Sequence, residues 1–218
     1  FAVFGWGGDV EIGRRSVQGP GQLLYRDGSS WGTIRPLLGA ELGAAVTHDG
    51  LVVGLSDSLH LRVLDGTGAW SSLIRVTRPT RPASRDVVES ERAWRIGQVT
   101  ERSERRRPPG FEGIRGELAQ VEAERLKRLE HENTIPAFGE LLAGSDGWLW
   151  VSDYVRPDSG VSDWFVWDGD ENLVGRIRLP LHERFLAAGF GYVLTVEEDE
   201  LGLQTVRIYG LPALRGRS

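Results

Sequence analysis

The chain has 218 residues, 40% of them hydrophobic and 26% charged, enough to bury a core of one or two domains. Its net charge of −5 argues against broad nucleic-acid binding, which needs a basic face, and no apolar run approaches the ~18 residues of a membrane-spanning helix. Without cysteine there are no disulfides, no thiolate catalysis and no cysteine-ligated zinc; without methionine, Phe1 is not a translational start, so any signal peptide or lipid anchor is expected upstream.

The 29 glycines and 8 tryptophans suit a β protein rich in tight turns. Taken in chain order, Gly19-Pro20-Gly21 is turn material with no strand–helix context for phosphate binding. Tyr25-Arg26-Asp27-Gly28 then precedes an apolar run from Trp31 to Leu38, and Val63-Leu64-Asp65-Gly66 precedes another from Trp70 to Val76. Asp-Gly is a hairpin signal because favoured two-residue turns need positive φ, which glycine supplies. Asp49-Gly50 opens Leu51–Leu55, so a unit of strand, Asp-Gly, strand, loop, strand, Asp-Gly, strand is expected over Ala44–Thr47, Leu51–Leu55, Leu59–Leu64 and Ala69–Val76.

The segment from Thr77 to Asn133 interrupts this rhythm. Asp27 to Asp65 spans 38 positions and Asp65 to Asp168 spans 103, so about 60 residues are extra if each unit takes ~40. Arg78 to Pro82 reads as an extended, proline-fixed exit. Ser84 caps a helix expected over Asp86–Arg107, with Glu91/Arg95 and Glu101/Arg105 at the i,i+4 spacing of a solvated helix. Pro108-Pro109-Gly110 stops it, and a second helix is expected over Gly113–Glu130. Its stripe of Ile114, Leu118, Val121, Leu126 and Leu129 is interrupted by Glu122 and Arg125, which predicts a helix lying across a surface. This helical insertion covers about 84–132.

The unit then returns over Glu140–Ala143, Trp148–Asp153, Asp163–Trp167 and Leu173–Leu179, with Asp146-Gly147 and Asp168-Gly169 at its turns. Trp148 and Trp150 share one face and Leu149 and Val151 the other, so this strand is expected to be buried on both faces. A third copy runs from Phe185 through Tyr192–Val196 to Gln204–Tyr209 and lacks a fourth strand. Four short antiparallel strands per unit predict propeller blades, with a β-sandwich as the rival architecture. The fold class expected is all-β, a partial β-propeller of about three blades spanning the whole chain, with the helical insertion.

The run Ile135-Pro136-Ala137-Phe138 into Ser145-Asp146-Gly147-Trp148-Leu149-Trp150-Val151, with Trp164 to Gly169, Arg178-Leu179-Pro180 and Val206-Arg207-Ile208-Tyr209, resembles the six-bladed, NHL-repeat-like β-propeller proteins of bacteria. The resemblance covers most of Leu42 to Leu211. It implies a C-terminal half of a six-bladed ring and an envelope or secreted location, and it carries over no catalytic residue.

Candidate chemistry is sparse. His48, His60, His131 and His182 show no ligand spacing. Asp168, Asp170 and Asn172 begin like a calcium loop but meet Leu173 and Leu179 where glycine and glutamate are required, so they read as a hairpin turn. Glu197 to Glu200 reads as a solvated acidic loop, and Arg105 to Arg107 as cations complementing a helix C-terminus. Gly54 to Ser58 lacks the last glycine of a nucleophile elbow.

The function expected is a non-catalytic binding or protein-interaction scaffold, with no cofactor and no metal. Its ligand is a protein or a small molecule. The binding face would combine the insertion with loops Ser56–Ser58, Val155–Ser162 and Glu198–Gly202, and its candidate residues are Asp57, Arg78, Arg81, Arg156, Asp158, Glu198 and Asp199. The alternative is a propeller-type metal-dependent hydrolase or lyase with part of its site in upstream blades. A purely structural role in a larger assembly is the third reading. Open blade edges also predict self-association.

Overall fold

The structure is a computed structural model, and it describes residues 2–4, 11–14, 23–27, 30–76, 81–105, 112–189, 191–199 and 201–211. Two hairpins come first, β1 (Ala2–Phe4) with β2 (Glu11–Arg14) and β3 (Leu23–Asp27) with β4 (Ser30–Ile34). Asp27 pairs with Ser30 at the end of the β3–β4 register, and Gly28 of the expected Asp-Gly turn lies outside the described residues.

A four-stranded antiparallel meander follows: β5 (Leu42–Thr47), β6 (Gly50–Leu55), β7 (Leu59–Leu64) and β8 (Trp70–Val76). Then come β9 (Arg81–Pro82), α1 (Arg85–Arg105), α2 (Glu112–Lys127) and β10 (Thr134–Ile135), which pairs with β9. A second four-stranded meander contains β11 (Leu141–Ala143), β12 (Leu149–Ser152), β13 (Val161–Trp167) and β14 (Leu173–Pro180). The third sheet has three strands, β15 (Glu183–Gly189), β16 (Tyr192–Glu198) and β17 (Gln204–Gly210). The chain is therefore mostly β, built of repeated antiparallel sheets with two inserted helices.

The sheets stack face to face because their strands alternate. In β7, Leu59, Leu61 and Val63 are buried and His60 and Arg62 are exposed. The buried set meets Leu149, Val151 and Trp167 of the second sheet in one core, to which Phe138 contributes. The other face of the second sheet gives Trp150, Trp164 and Val166 to a second core with Phe185 and Val193 of the third. The Phe185 ring lies 4.5 Å from Trp164 and 5.5 Å from Trp150. The doubly apolar strands of the second sheet are thus covered on both faces. The first strands lie side by side, with β11 in contact with both β5 and β15.

At Asp49-Gly50 and Asp146-Gly147 the glycine takes the expected positive φ, 142° and 83°, but the hairpins that follow Asp65 and Asp168 are built differently. Asp65, Asp168 and Asp199 each open the same loop, linking β7–β8, β13–β14 and β16–β17. In each, the aspartate amide donates to the carbonyl four residues on, Ala69, Asn172 or Leu203, at 3.0 Å. Oδ1 accepts two loop amides, from Thr67 and Ala69, Asp170 and Asn172, or Leu201 and Leu203. Positive φ falls three residues after the aspartate, on Gly68 (82°), Glu171 (64°) and Gly202 (79°), and not on Gly66 or Gly169. The carboxylate organises the turn, so the neighbouring glycine need not adopt the left-handed region. Asp199, read as part of an acidic binding loop, is the third member of this set.

The insertion corrects the expectation that the first helix is solvated, while the second lies across a surface with one end of its stripe covered. Leu37 and Leu38, just before the first meander, are buried against Val87 and Val88 of α1 and against Leu126 and Leu129 at the end of α2. Backbone bonds of 2.9 Å from Leu37 to Glu130 and from Glu132 to Leu37 seal this contact. The apolar stripe on α2 divides: its C-terminal end is covered, while Leu118 is 62% and Val121 47% exposed. Ser84 caps α1, its Oγ accepting the Val87 amide at 3.4 Å.

Candidate functional site

In an antiparallel meander, the loop between the second and third strands emerges beside the residues leading into the first. At this end of the first sheet, the Ser56 amide donates to Glu41 O at 2.9 Å and Ser56 Oγ accepts the Glu41 amide at 2.8 Å. Ser152 and Glu140 repeat the exchange in the second sheet at 2.9 and 2.7 Å. Both serines are 1% exposed. The tripeptides Leu55-Ser56-Asp57 and Val151-Ser152-Asp153 make Asp57 and Asp153 equivalent.

Asp153 anchors the insertion. Arg81, on β9, donates from Nη2 to Oδ1 at 2.8 Å and from Nη1 to Oδ2 at 3.2 Å, and its Nη2 also donates to Pro136 O at 2.7 Å. The forked geometry matches a guanidinium to both carboxylate oxygens. The next residue, Tyr154, reaches α1: its hydroxyl donates to Glu91 Oε2 at 2.6 Å. Arg95 Nε donates to Glu91 Oε1 at 2.7 Å. Glu91 is 4% exposed, so the pair expected on a solvated helix face is a buried one. Burial pushes the Tyr154 phenol well above its ordinary pKa, and the hydrogen bond to Glu91 and that residue's charge add to the effect. Arg92 completes the unit, donating from Nη1 to the carbonyls of Leu126, Lys127 and Leu129 at the end of α2.

The remaining candidate residues do not converge. Asp57 is exposed and accepts the Ser58 hydroxyl at 3.1 Å. Arg156 and Asp158 pair with each other at 2.6 Å. Glu198 belongs to β16 and accepts Gln204 Nε2 at 3.1 Å, and Asp199 is held by its turn. Arg78 lies outside the described residues. Val161 and Ser162, read as loop, begin β13.

A carboxylate that sequence reasoning passed over lies at the start of the third sheet. Glu183 accepts the Thr195 hydroxyl at 2.5 Å and the Tyr209 hydroxyl at 2.7 and 2.9 Å, with Arg207 Nε 3.5 Å away. Burial opposes its ionisation, but the bonds from Thr195 and Tyr209 and the charges of Arg207 and His182 outweigh this and hold its carboxyl below the usual range. Glu183 thus joins β15, β16 and β17 through these bonds.

A groove of about 370 Å³ runs beside the start of α1, lined by Ala83, Arg85, Val88, Glu89, Arg92 and His131. Among the described residues, no group of His, Asp or Glu is placed to hold a metal ion, and no helix is long and apolar enough to cross a membrane. What the residues at this end achieve is mechanical: they fix two helices to a loop of the second sheet. Compared with protein-family models, curated proteins and solved structures, the chain matches none.

Proposed function

We propose that the chain is a non-catalytic protein-interaction scaffold of β-propeller type, whose recognition surface combines the helical insertion with the loops at the same end of the sheets. The blade reading is supported by three separate meanders stacked face to face, with first strands side by side, and by the same aspartate turn between the third and fourth strands of the first two. The observation that carries the binding reading is the attachment of the insertion. Arg81 to Asp153 and Tyr154 to Glu91 fix the helices to the β12–β13 loop, so they are presented as a rigid body.

The helices held there expose Trp94, Leu118 and Val121, side chains that favour contact with an apolar partner. Around them lie charged helical residues such as Glu117 and Glu122, the polar rim of a protein interface. The partner class is therefore another protein, bound through an apolar centre on the helices.

A photoreactive amino acid at Leu118, in the cells that make the protein, tests this. Discrete crosslinks to another protein are expected, and they should weaken when Tyr154→Phe and Arg81→Ala together release the insertion. Crosslinking at Leu118 no stronger than at Leu173, on a remote hairpin, overturns the reading.

A further inference from the structure

The third sheet has one covered face and one open face. Its Phe185, Val193 and Tyr209 turn toward the second sheet. The opposite face carries Leu194 against Ile208, and Arg184, Val196 and Val206 in one row across β15, β16 and β17; Val196 is itself buried, so the exposed apolar surface lies on its neighbours. Ile208 is 72% exposed, Val206 58%, and Leu186, at the bulge in β15, 40%. A strand pair this apolar on its outward face is costly to leave in water. In both preceding contacts of this stack, an apolar face is met by the apolar face of another antiparallel sheet.

We propose that the open face of β15–β17 is the contact surface between two copies of this chain, packed sheet against sheet about a twofold axis. The charges on the face select a second copy as the occupant. Arg184, on β15, is exposed, has no ion pair among the described residues, and lies at the same end of the face as Glu198 and its partner Gln204. An axis along the strands places β16 over β16 and exchanges β15 with β17. Each Arg184 then approaches the Glu198–Gln204 side of the other copy, and the apolar rows face one another. Such a face is self-complementary, as an isologous contact requires. The proposal is independent of the role assigned to the helical insertion, which lies on other elements.

Sedimentation velocity across micromolar concentrations, on the chain as it stands, decides the matter. The expected species is a dimer in equilibrium with monomer. Ile208→Asp should raise its dissociation constant by about tenfold or more, because it puts a charge in the apolar centre. Leu173→Asp, an exposed change on the second sheet, should leave the dimer intact. Arg184→Glu should weaken the dimer, and the exchanged pair Arg184→Glu with Glu198→Arg should restore it. Far-UV circular dichroism checks that each variant folds, and if Ile208→Asp does not, the charge exchange decides alone. A monomer at every concentration, a dimer indifferent to Ile208→Asp and to the charge exchange, or aggregates without fixed stoichiometry would each overturn the proposal.

Discussion

The hydroxyl of Tyr154 and the carboxylate of Glu91 are 63 positions apart in the chain and joined by a 2.6 Å hydrogen bond. Because Glu91 is buried and shares its other oxygen with Arg95, the bond ties α1 to the second sheet through a charged acceptor. Tyr154→Phe should destabilise the protein by about 2 kcal/mol, the range for a hydrogen bond to a charged group. Urea unfolding measures it, and a change within error would mean that Arg95 alone satisfies Glu91.

The same bond sets an alkaline limit. The Tyr154 phenol is raised in the folded protein, so its contribution is complete below the unfolded tyrosine pKa of about 10 and is lost as pH climbs above that value. Stability between neutral pH and about 9 should not depend on this group. Tyr154→Phe should flatten the alkaline fall; an unchanged slope in the variant would assign that fall to other groups.

At the acid end the sign reverses. Hydrogen bonding by Arg178 holds the Asp163 carboxyl below its ordinary range against some cost of burial, with Arg176 adding a bond and charge. Glu183 is also lowered. Both contribute fully above the unfolded carboxyl pKa of about 4 and lose that contribution as pH falls through their lowered folded values. Asp163→Asn should reduce the acid sensitivity of stability, measured by unfolding at a series of pH values. Equal sensitivity in the variant would show that the Arg176 and Arg178 contacts do not persist in solution.

The three aspartate loops predict opposite outcomes for two substitutions. Glu171 occupies with a side chain the left-handed position that Gly68 and Gly202 fill. Glu171→Gly should stabilise by about 0.5–1 kcal/mol, the strain relieved exceeding the added freedom of the unfolded chain. Gly202→Ala should destabilise by about 1 kcal/mol, and for conformational reasons only, since an added Cβ there meets nothing within 4 Å. Melting curves that move both variants the same way would contradict the shared turn.

Removing residues 85–130 should leave the sheets standing. The β9–β10 pair and the Ala83 to Asn133 bond already hold the two ends together, and neither sheet-to-sheet core draws on the helices. The deletion does uncover Leu37 and Leu38. Leu37→Ser with Leu38→Asn should restore solubility, asparagine being chosen because Leu38 has a φ of 59°. Loss of cooperative β-sheet melting in this variant would show that the sheets depend on the insertion.

Local chemistry made much of this fold legible in the sequence. The Asp-Gly signal after Leu59–Leu64 and the paired faces of Leu149–Val151 marked strands that the structure contains, and Ser84 with the Glu91/Arg95 spacing marked α1, because each signal is local in the chain. The repeated Ser-Asp at 56–57 and 152–153 was also readable and would have singled out Asp153. Other features required the chain to fold back on itself. Nothing near Glu91 indicates that Tyr154 will cover it, nor does the stripe on α2 reveal that Leu126 and Leu129 are buried while Leu118 and Val121 face solvent. Periodicity encodes which side of an element is apolar; which stretch of that side finds a partner depends on contacts between distant segments, and the tertiary structure alone decided those.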